Sequence, residues 1–292
     1  MWDELKKKYN QVSIHEKFMF INVGVFAIIS LTVTLIYLIS SNRIEFFDDY
    51  FALPANLKQL LFKPWTLFTY FFIHADFLHL LWNMVALYFF GRIFISFLGS
   101  RLFVNYYILG GLFAGLVFVL SYNVFPALIK SNSILLGSSG AVFAILFGVT
   151  AKVPNYIFNL FGIVRIPLWV ISTLYTILFI SSIPYANAGG ELAHLGGAFL
   201  GFFYTKQLDK GKDIGRVFES MTNTISNWFK KSKKRPLKTV HKNKSKVGGY
   251  TKADFNEFNN QKKIDIILDK ISKSGYESLT AEEKELLFRA GK

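Results

Sequence analysis

The 292 residues contain no cysteine, which excludes disulfides and thiolate metal sites and leaves the redox compartment unread. Acidic residues are scarce: 19 Asp and Glu stand against 33 Lys and Arg, a formal net charge of +14. A basic excess can mark a nucleic-acid binder, but here it is concentrated after the last apolar run. That placement suits a tail facing anionic lipid rather than nucleic acid. Carboxylates are also missing from the middle of the apolar runs, and no paired inverted repeat is present. Both absences argue against a transporter or channel.

What the chain has in quantity is apolar surface. It is 52% hydrophobic and 17% aromatic, more than one soluble core needs, and this surface comes in long runs. These features predict a polytopic, all-α membrane protein. The first run, Phe18 to Ser40, is too long for a signal peptide and reads as a retained anchor helix. Further spans are expected at Leu78 to Phe97, Leu102 to Phe125, Gly140 to Val153, Ile166 to Ile183 and Leu192 to Tyr204. Several fall short of the ~20 residues that cross the hydrocarbon core, so they are expected to start or stop at depth inside a bundle.

Six spans put both termini on one side. Lys6, Lys7, Lys8, Lys17, Arg101, Lys152 and the basic tail mark that side as cytoplasmic, while Lys130 is alone between the third and fourth spans. This orientation puts Ser139 near the outer leaflet, and the membrane expected is a bacterial cytoplasmic one. The connection from Ser41 to Phe77 is rich in Phe, Tyr, Leu and Trp, which predicts a segment lying partly in the interfacial zone.

Leu136-Gly137-Ser138-Ser139-Gly140-Ala141 opens the fourth span. A serine between glycines can cap a helix or let helices pack closely. It can also be a nucleophile if a base takes its proton, and histidine is the usual base. His194 is the one histidine in the last three spans, and an ionisable residue at membrane depth is a functional candidate by default. Gly197 and Gly201 give its helix a Gly-x-x-x-Gly face, for which Gly137, Gly140 and Ala141 offer a matching small face. His79 and Asn83, spaced i, i+4, project from one helix face and can both donate hydrogen bonds, as an oxyanion requires. As a pair alone they also suit a polar helix contact.

Taken together, Gly137-Ser138-Ser139-Gly140, His74-Ala-Asp-Phe-Leu-His79-Leu-Leu-Trp-Asn83 and Ala193-His194-Leu-Gly196-Gly197 resemble the motifs of the rhomboid family of intramembrane serine proteases. The likeness runs from about Pro64 to Gly201, in the family's order. It implies a six-transmembrane-helix bundle that cleaves transmembrane protein substrates in or near their spanning segments, without a metal or cofactor. By that resemblance Ser139 is the nucleophile and His194 the general base and then acid. His79 and Asn83 form the oxyanion hole, with the Ser139 N–H as a further donor. His74 and Gly137 line the active-site cavity, and Phe143 sets an aromatic ring against His194. Two family positions differ: Trp65-Thr66 stands where some members have Trp-Arg, and Ile95 where they have a glutamate. No acidic residue is expected to orient His194, so its ring is expected to be held by packing.

The domain organisation expected is a cytoplasmic segment over 1–17, a transmembrane protease domain over 18–206, a basic amphipathic linker over 207–261 and a small helical tail over 262–292. Phe218, Met221, Ile225 and Trp228 recur at helical spacing ahead of Lys230 to Arg235, as in a membrane-surface helix followed by a polybasic segment. Ile264, Ile267, Leu268 and Ile271 form a helical stripe that Gly275 ends, and Thr280 to Glu283 opens a second helix with a capping box. A pair this small needs something to dock on, so an unidentified partner of these C-terminal helices is expected.

Overall fold

The computed structural model describes residues 11–41, 46–129, 133–160, 164–185, 187–220, 246–247 and 250–291. Lys6, Lys7, Lys8, Lys130, Met221, Ile225, Trp228 and residues 230–235, all used in the sequence reading, lie outside them. The chain divides into two compact units, Met1–Lys230 and Lys231–Lys292.

In the first unit, α1 (Ile14–Ser40) opens with the Ser13 N–H donating to Glu16 Oε2 at 2.9 Å and closes at Ser41 in the left-handed region. Its buried residues are His15, Phe18 and Asn22, while Phe20, Ile28, Leu31, Leu35 and Leu38 face outward. An apolar surface this continuous belongs against lipid. α1 and α5 (Phe77–Val124) are each long and apolar enough to cross a membrane. α5 is two helices joined at Gly99, whose φ of 83° lies where L side chains are strained. Each arm, at 1.5 Å per residue, is long enough to cross the ~30 Å hydrocarbon core.

Between α1 and α5 the chain forms α2 (Phe46–Phe51), β1 (Leu53–Pro54), α3 (Leu57–Phe62), α4 (Thr66–Thr69) and a 3-10 turn, Tyr70–Phe72. This loop turns Tyr50, Leu61, Phe62, Trp65 and Phe68 outward and buries Ala52, Leu53 and Ala55. Its anchors are hydrogen bonds to main-chain carbonyls: Trp65 Nε1 to Tyr50 at 2.8 Å, Thr69 Oγ1 to Phe51 at 2.8 Å, and Asn123 Nδ2 to Ala55 at 2.9 Å. β1 pairs antiparallel with β2 (Ile134–Leu135), Leu53 opposite Leu135, which ties the loop to the segment entering the serine turn.

α6 (Ser139–Lys152) is enclosed by α5 and α8 (Ala188–Asp209), and most of its side chains are buried. The fifth apolar run does not begin as a helix at Ile166. Val164–Pro167 is strand β4, paired with β3 (Ile157–Leu160), and α7 (Leu168–Ser182) starts after Pro167, which lacks the N–H that a helix interior needs.

Glycine sets how closely these helices approach. A Cβ on Gly197 would collide with the Gly140 carbonyl, and one on Gly201 with that of Ala144. The small face that meets α8 is therefore Gly140 with Ala144, whereas Gly137 meets His79 instead. At the other end of α8, Thr205 Oγ1 donates to the Gly148 carbonyl at 2.9 Å and lies 2.8 Å from the Tyr106 hydroxyl. Beyond α8, Asp213 accepts from Tyr204 at 2.6 Å and pairs with Arg101, and Lys152 pairs with Asp209 at 2.7 Å. Asp213 is partly buried, but the Tyr204 and Arg101 hydrogen bonds outweigh that burial and hold its carboxyl below the usual range.

In the second unit, α9 (Lys252–Ser274) follows a short hairpin of β5 (Lys246–Val247) and β6 (Tyr250–Thr251) and starts ahead of the expected Lys262. Gly275 (φ 76°) ends it, and α10 (Ala281–Ala290) begins at Thr280 with both bonds of the capping box formed. Lys270 Nζ reaches Glu283 at 2.8 Å, linking the two helices; that ammonium is the main cause of the lowered Glu283 pKa.

Substituting Gly201→Ala forces α8 away from α6. It is expected to lower stability by about 1–3 kcal/mol, measured as a fall in unfolding temperature in detergent. Gly24→Ala, whose new Cβ meets nothing within 4 Å, should not lower that temperature.

Candidate active site

The turn ahead of α6 is shaped from both sides. Gly137 has φ 110°, its N–H donates to the Tyr70 carbonyl at 3.0 Å, and a Cβ there would lie 2.6 Å from Cε1 and Nε2 of His79. Glycine is thus required twice, for the backbone angle and for the imidazole that occupies the space. Tyr70 is itself fixed by its hydroxyl, which donates to the Gly111 carbonyl at 2.6 Å. Ser138 is fully buried with its Oγ 3.2 Å from His74 Nε2. Ser139 is the first residue of α6, so its side chain sits at a helix N-terminus.

α8 supplies the other half. It is capped by Asn187, whose side chain accepts from the Gly190 N–H at 3.1 Å, and a first stretch rich in glycine and alanine, Ala188 to Ala193, brings His194 against α6. Ser139 Oγ and His194 Nε2 are 2.7 Å apart. The imidazole packs against two aromatic rings, Phe143 at 5.0 Å and Phe179 at 4.9 Å between centroids, which themselves meet at 4.6 Å. These contacts fix the plane of the ring without competing for Nε2.

One acidic group was not anticipated. Glu191 Oε2 lies 3.3 Å from His194 Nδ1. The signal was available in the sequence, since Glu191 and His194 are spaced i, i+3 on one helix and such residues are neighbours. With Nδ1–H directed at a carboxylate, Nε2 presents its lone pair to the serine. Phe179 left no such signal, because it reaches His194 from a different helix.

His79 and Asn83 lie on the first arm of α5, where Asp76 caps the helix by accepting from the His79 N–H at 2.8 Å. Asn83 Nδ2 donates to the His79 carbonyl at 2.9 Å, which uses one of its two donors and leaves the other. The His74 and His79 rings meet edge to face at 5.1 Å. The structure therefore gathers Ser139, His194 and Phe143 into one contact cluster. It places His79 on Gly137 and His74 on Ser138, around the same turn.

A partly buried hydroxyl hydrogen-bonded to an imidazole, at a helix N-terminus among apolar helices, has the geometry of an activated nucleophile. Comparison with known families matches residues 61–209 to the Rhomboid domain. The chain belongs to the rhomboid family. The match covers just over half of the sequence and includes every residue of the serine–histidine cluster. The family is one of intramembrane serine proteases, and its membership together with the apolar helices makes the chain an integral membrane protein. Residues 254–290 match a family of unknown function, DUF6576. No curated protein matches the chain.

The Glu191 carboxylate touches His194 and not Ser139, so if the pair reacts its removal should cost less than removal of the imidazole. Glu191→Gln is expected to slow serine labelling by a fluorophosphonate several-fold, well short of the ~10²–10⁴ associated with a general base. Labelling rates at matched reagent concentration test this.

Proposed function

We propose that this rhomboid is an active endopeptidase that cleaves transmembrane protein substrates in or beside their spanning segments, using Ser139 and His194 as a dyad. The observation that carries the reading is the 2.7 Å contact between Ser139 Oγ and His194 Nε2. His194 Nε2 takes the hydroxyl proton as Oγ attacks the scissile carbonyl, then returns it to the leaving amine, giving an acyl-enzyme. Water deprotonated by the same nitrogen releases the acid and restores the serine. His79, the free donor of Asn83 and the Ser139 N–H are the donors for the oxyanion. His74 lines a cavity of about 330 Å³ between α1 and the first loop, with Ser30, Thr34 and Asp48 on its walls, and this is the route by which water reaches the site. No metal or cofactor takes part.

The substrate helix is expected to arrive between the first arm of α5 and α7. A cavity of about 590 Å³ there is walled by Trp82, Phe89, Ile171, Leu174 and Leu178 and reaches Tyr175, whose ring packs on Phe143 at 5.0 Å. An apolar groove opening onto the lipid-facing side suits a transmembrane segment. That segment must unwind to offer a carbonyl, because a helical peptide bond is closed by its own hydrogen bond.

The six crossings of this reading are α1, the two arms of α5, α6, α7 and α8. Both termini are cytoplasmic, in a bacterial cytoplasmic membrane, and the basic linker lies near anionic lipid. The C-terminal helices serve a partner that remains to be identified. Nucleic acid has no part in it.

Fluorophosphonate labelling of the purified full chain tests the dyad. Wild type should label, Ser139→Ala should not, and His194→Ala should label at least ~10²-fold more slowly. A folded wild type that fails to label, or label retained in Ser139→Ala, overturns the proposal and leaves a helix-binding homologue that does not cut.

A further inference from the structure

The Rhomboid match ends at residue 209, but the chain stays on the bundle beyond it. Gly215 is buried, and Ile214 and Phe218 pack against the core. Polar contacts hold this segment. Asp213 Oδ1 accepts from the Tyr204 hydroxyl at 2.6 Å and from the Gly215 N–H at 3.1 Å, while Oδ2 pairs with Arg101 and lies 3.7 Å from Arg216 Nε. Arg101 also donates to Glu219 Oε2 at 2.8 Å, and Asn105 Nδ2 donates to Glu219 Oε1 at 2.7 Å. One guanidinium, two residues past the Gly99 break, thus joins two carboxylates of residues 210–220 to the second arm of α5. The fit is close: a Cβ on Gly215 would collide with the Tyr204 hydroxyl and lie 2.6 Å from Asn105 Nδ2.

These contacts reach the site through α8. His194, Gly197, Gly201 and Thr205 recur at three- and four-residue steps, so they share the helix face that meets α6. Gly197 and Gly201 set the distance between the two helices, but a backbone-on-backbone contact has no side chain to resist a slide or a turn. Directional bonds at the far end supply that resistance. Thr205 bonds to the Gly148 carbonyl at 2.9 Å, and Tyr204, buried and stacked on Tyr106 at 4.2 Å, is held through Asp213 by Arg101. A turn of about 10° about the α8 axis moves an imidazole roughly 5–6 Å from that axis by about 1 Å. A shift of that size between reacting groups costs ~10²-fold in rate.

We propose that Arg101, Asp213 and Glu219 form a clamp that positions His194, so that the catalytic unit extends past the Rhomboid match to residue 220. The inference rests on the proposed Ser139–His194 dyad. These are positioning residues: they act through Tyr204 and α8 and stand away from the reacting atoms. Removing the guanidinium leaves Asp213 and Glu219 without the cation they share and frees the segment from α5.

Fluorophosphonate labelling of the full chain, followed to completion over a range of reagent concentrations, tests the clamp in Arg101→Gln, Arg101→Lys and Gly215→Ala. The first removes the charge, and the last wedges the segment off Tyr204 and Asn105. Both are expected to lower the maximal labelling rate about tenfold, with the half-saturating concentration unchanged and complete labelling still reached. Arg101→Lys, which restores the charge, should react faster than Arg101→Gln. A wild-type rate in Arg101→Gln or in Gly215→Ala overturns the proposal, as does equal slowing by lysine and glutamine. An incomplete end point reached at an unaltered rate means lost folded protein rather than a displaced base, and it too overturns the clamp. So does a raised half-saturating concentration without a fall in maximal rate, which places the effect at reagent binding. A wild type that does not label overturns the dyad and this inference with it, whereas variants that match a labelling wild type overturn the clamp alone.

Discussion

The contact on which the rest of this structure depends is the approach of α6 and α8 to backbone distance. In lipid, apolar side chains gain little by meeting one another, so helices associate through close van der Waals contact and hydrogen bonds. Gly197 against the Gly140 carbonyl, and Gly201 against that of Ala144, supply the first; Thr205 bonded to the Gly148 carbonyl supplies the second. These contacts lie along one seam, and Ser139 and His194 stand at its upper end. Their 2.7 Å separation is therefore a consequence of helix packing, set by residues that take no part in chemistry. A displacement of about 1 Å in such a pair can cost ~10²-fold in rate.

How much of this was legible depends on whether a feature is written in side chains or in the main chain. Ser139, His194, His79 and Asn83 could be picked out because the chemistry restricts their residue types and their spacing places them on helix faces. The Gly-x-x-x-Gly face of α8 was legible for the same reason, but its mate was only partly so: Gly140 meets it, while Gly137 holds the ring of His79. Nothing in the spacing of Gly137 distinguishes those two uses. The anchoring of the first loop was not legible, since Trp65, Thr69 and Asn123 all bond to main-chain carbonyls, which any residue provides. The β3–β4 hairpin was hidden in the same way, because Ile166 continues the apolar run of α7 and only Pro167 marks the change. Glu191 is legible from its helical spacing to His194, three residues apart on one helix.

The polar groups within the bundle follow a division of labour that bears on the site. Away from it several are paired across helices: Asn22 Nδ2 with Tyr107 at 3.0 Å, Thr150 with Ser172 at 2.8 Å, Tyr106 with Thr205 at 2.8 Å. Such pairs satisfy groups that would be costly to leave bare in an apolar medium, and they bind one helix to the next. The base of the proposed dyad is handled differently. His194 has two ring nitrogens, and one must keep its lone pair for the serine. A polar partner on every side would hold the imidazole firmly but would occupy that lone pair. Phe143 and Phe179 fix the ring by contact alone, and the single carboxylate, Glu191, approaches from the Nδ1 side. Orientation by packing and one directed hydrogen bond leaves Nε2 to Ser139, which is the condition for taking its proton.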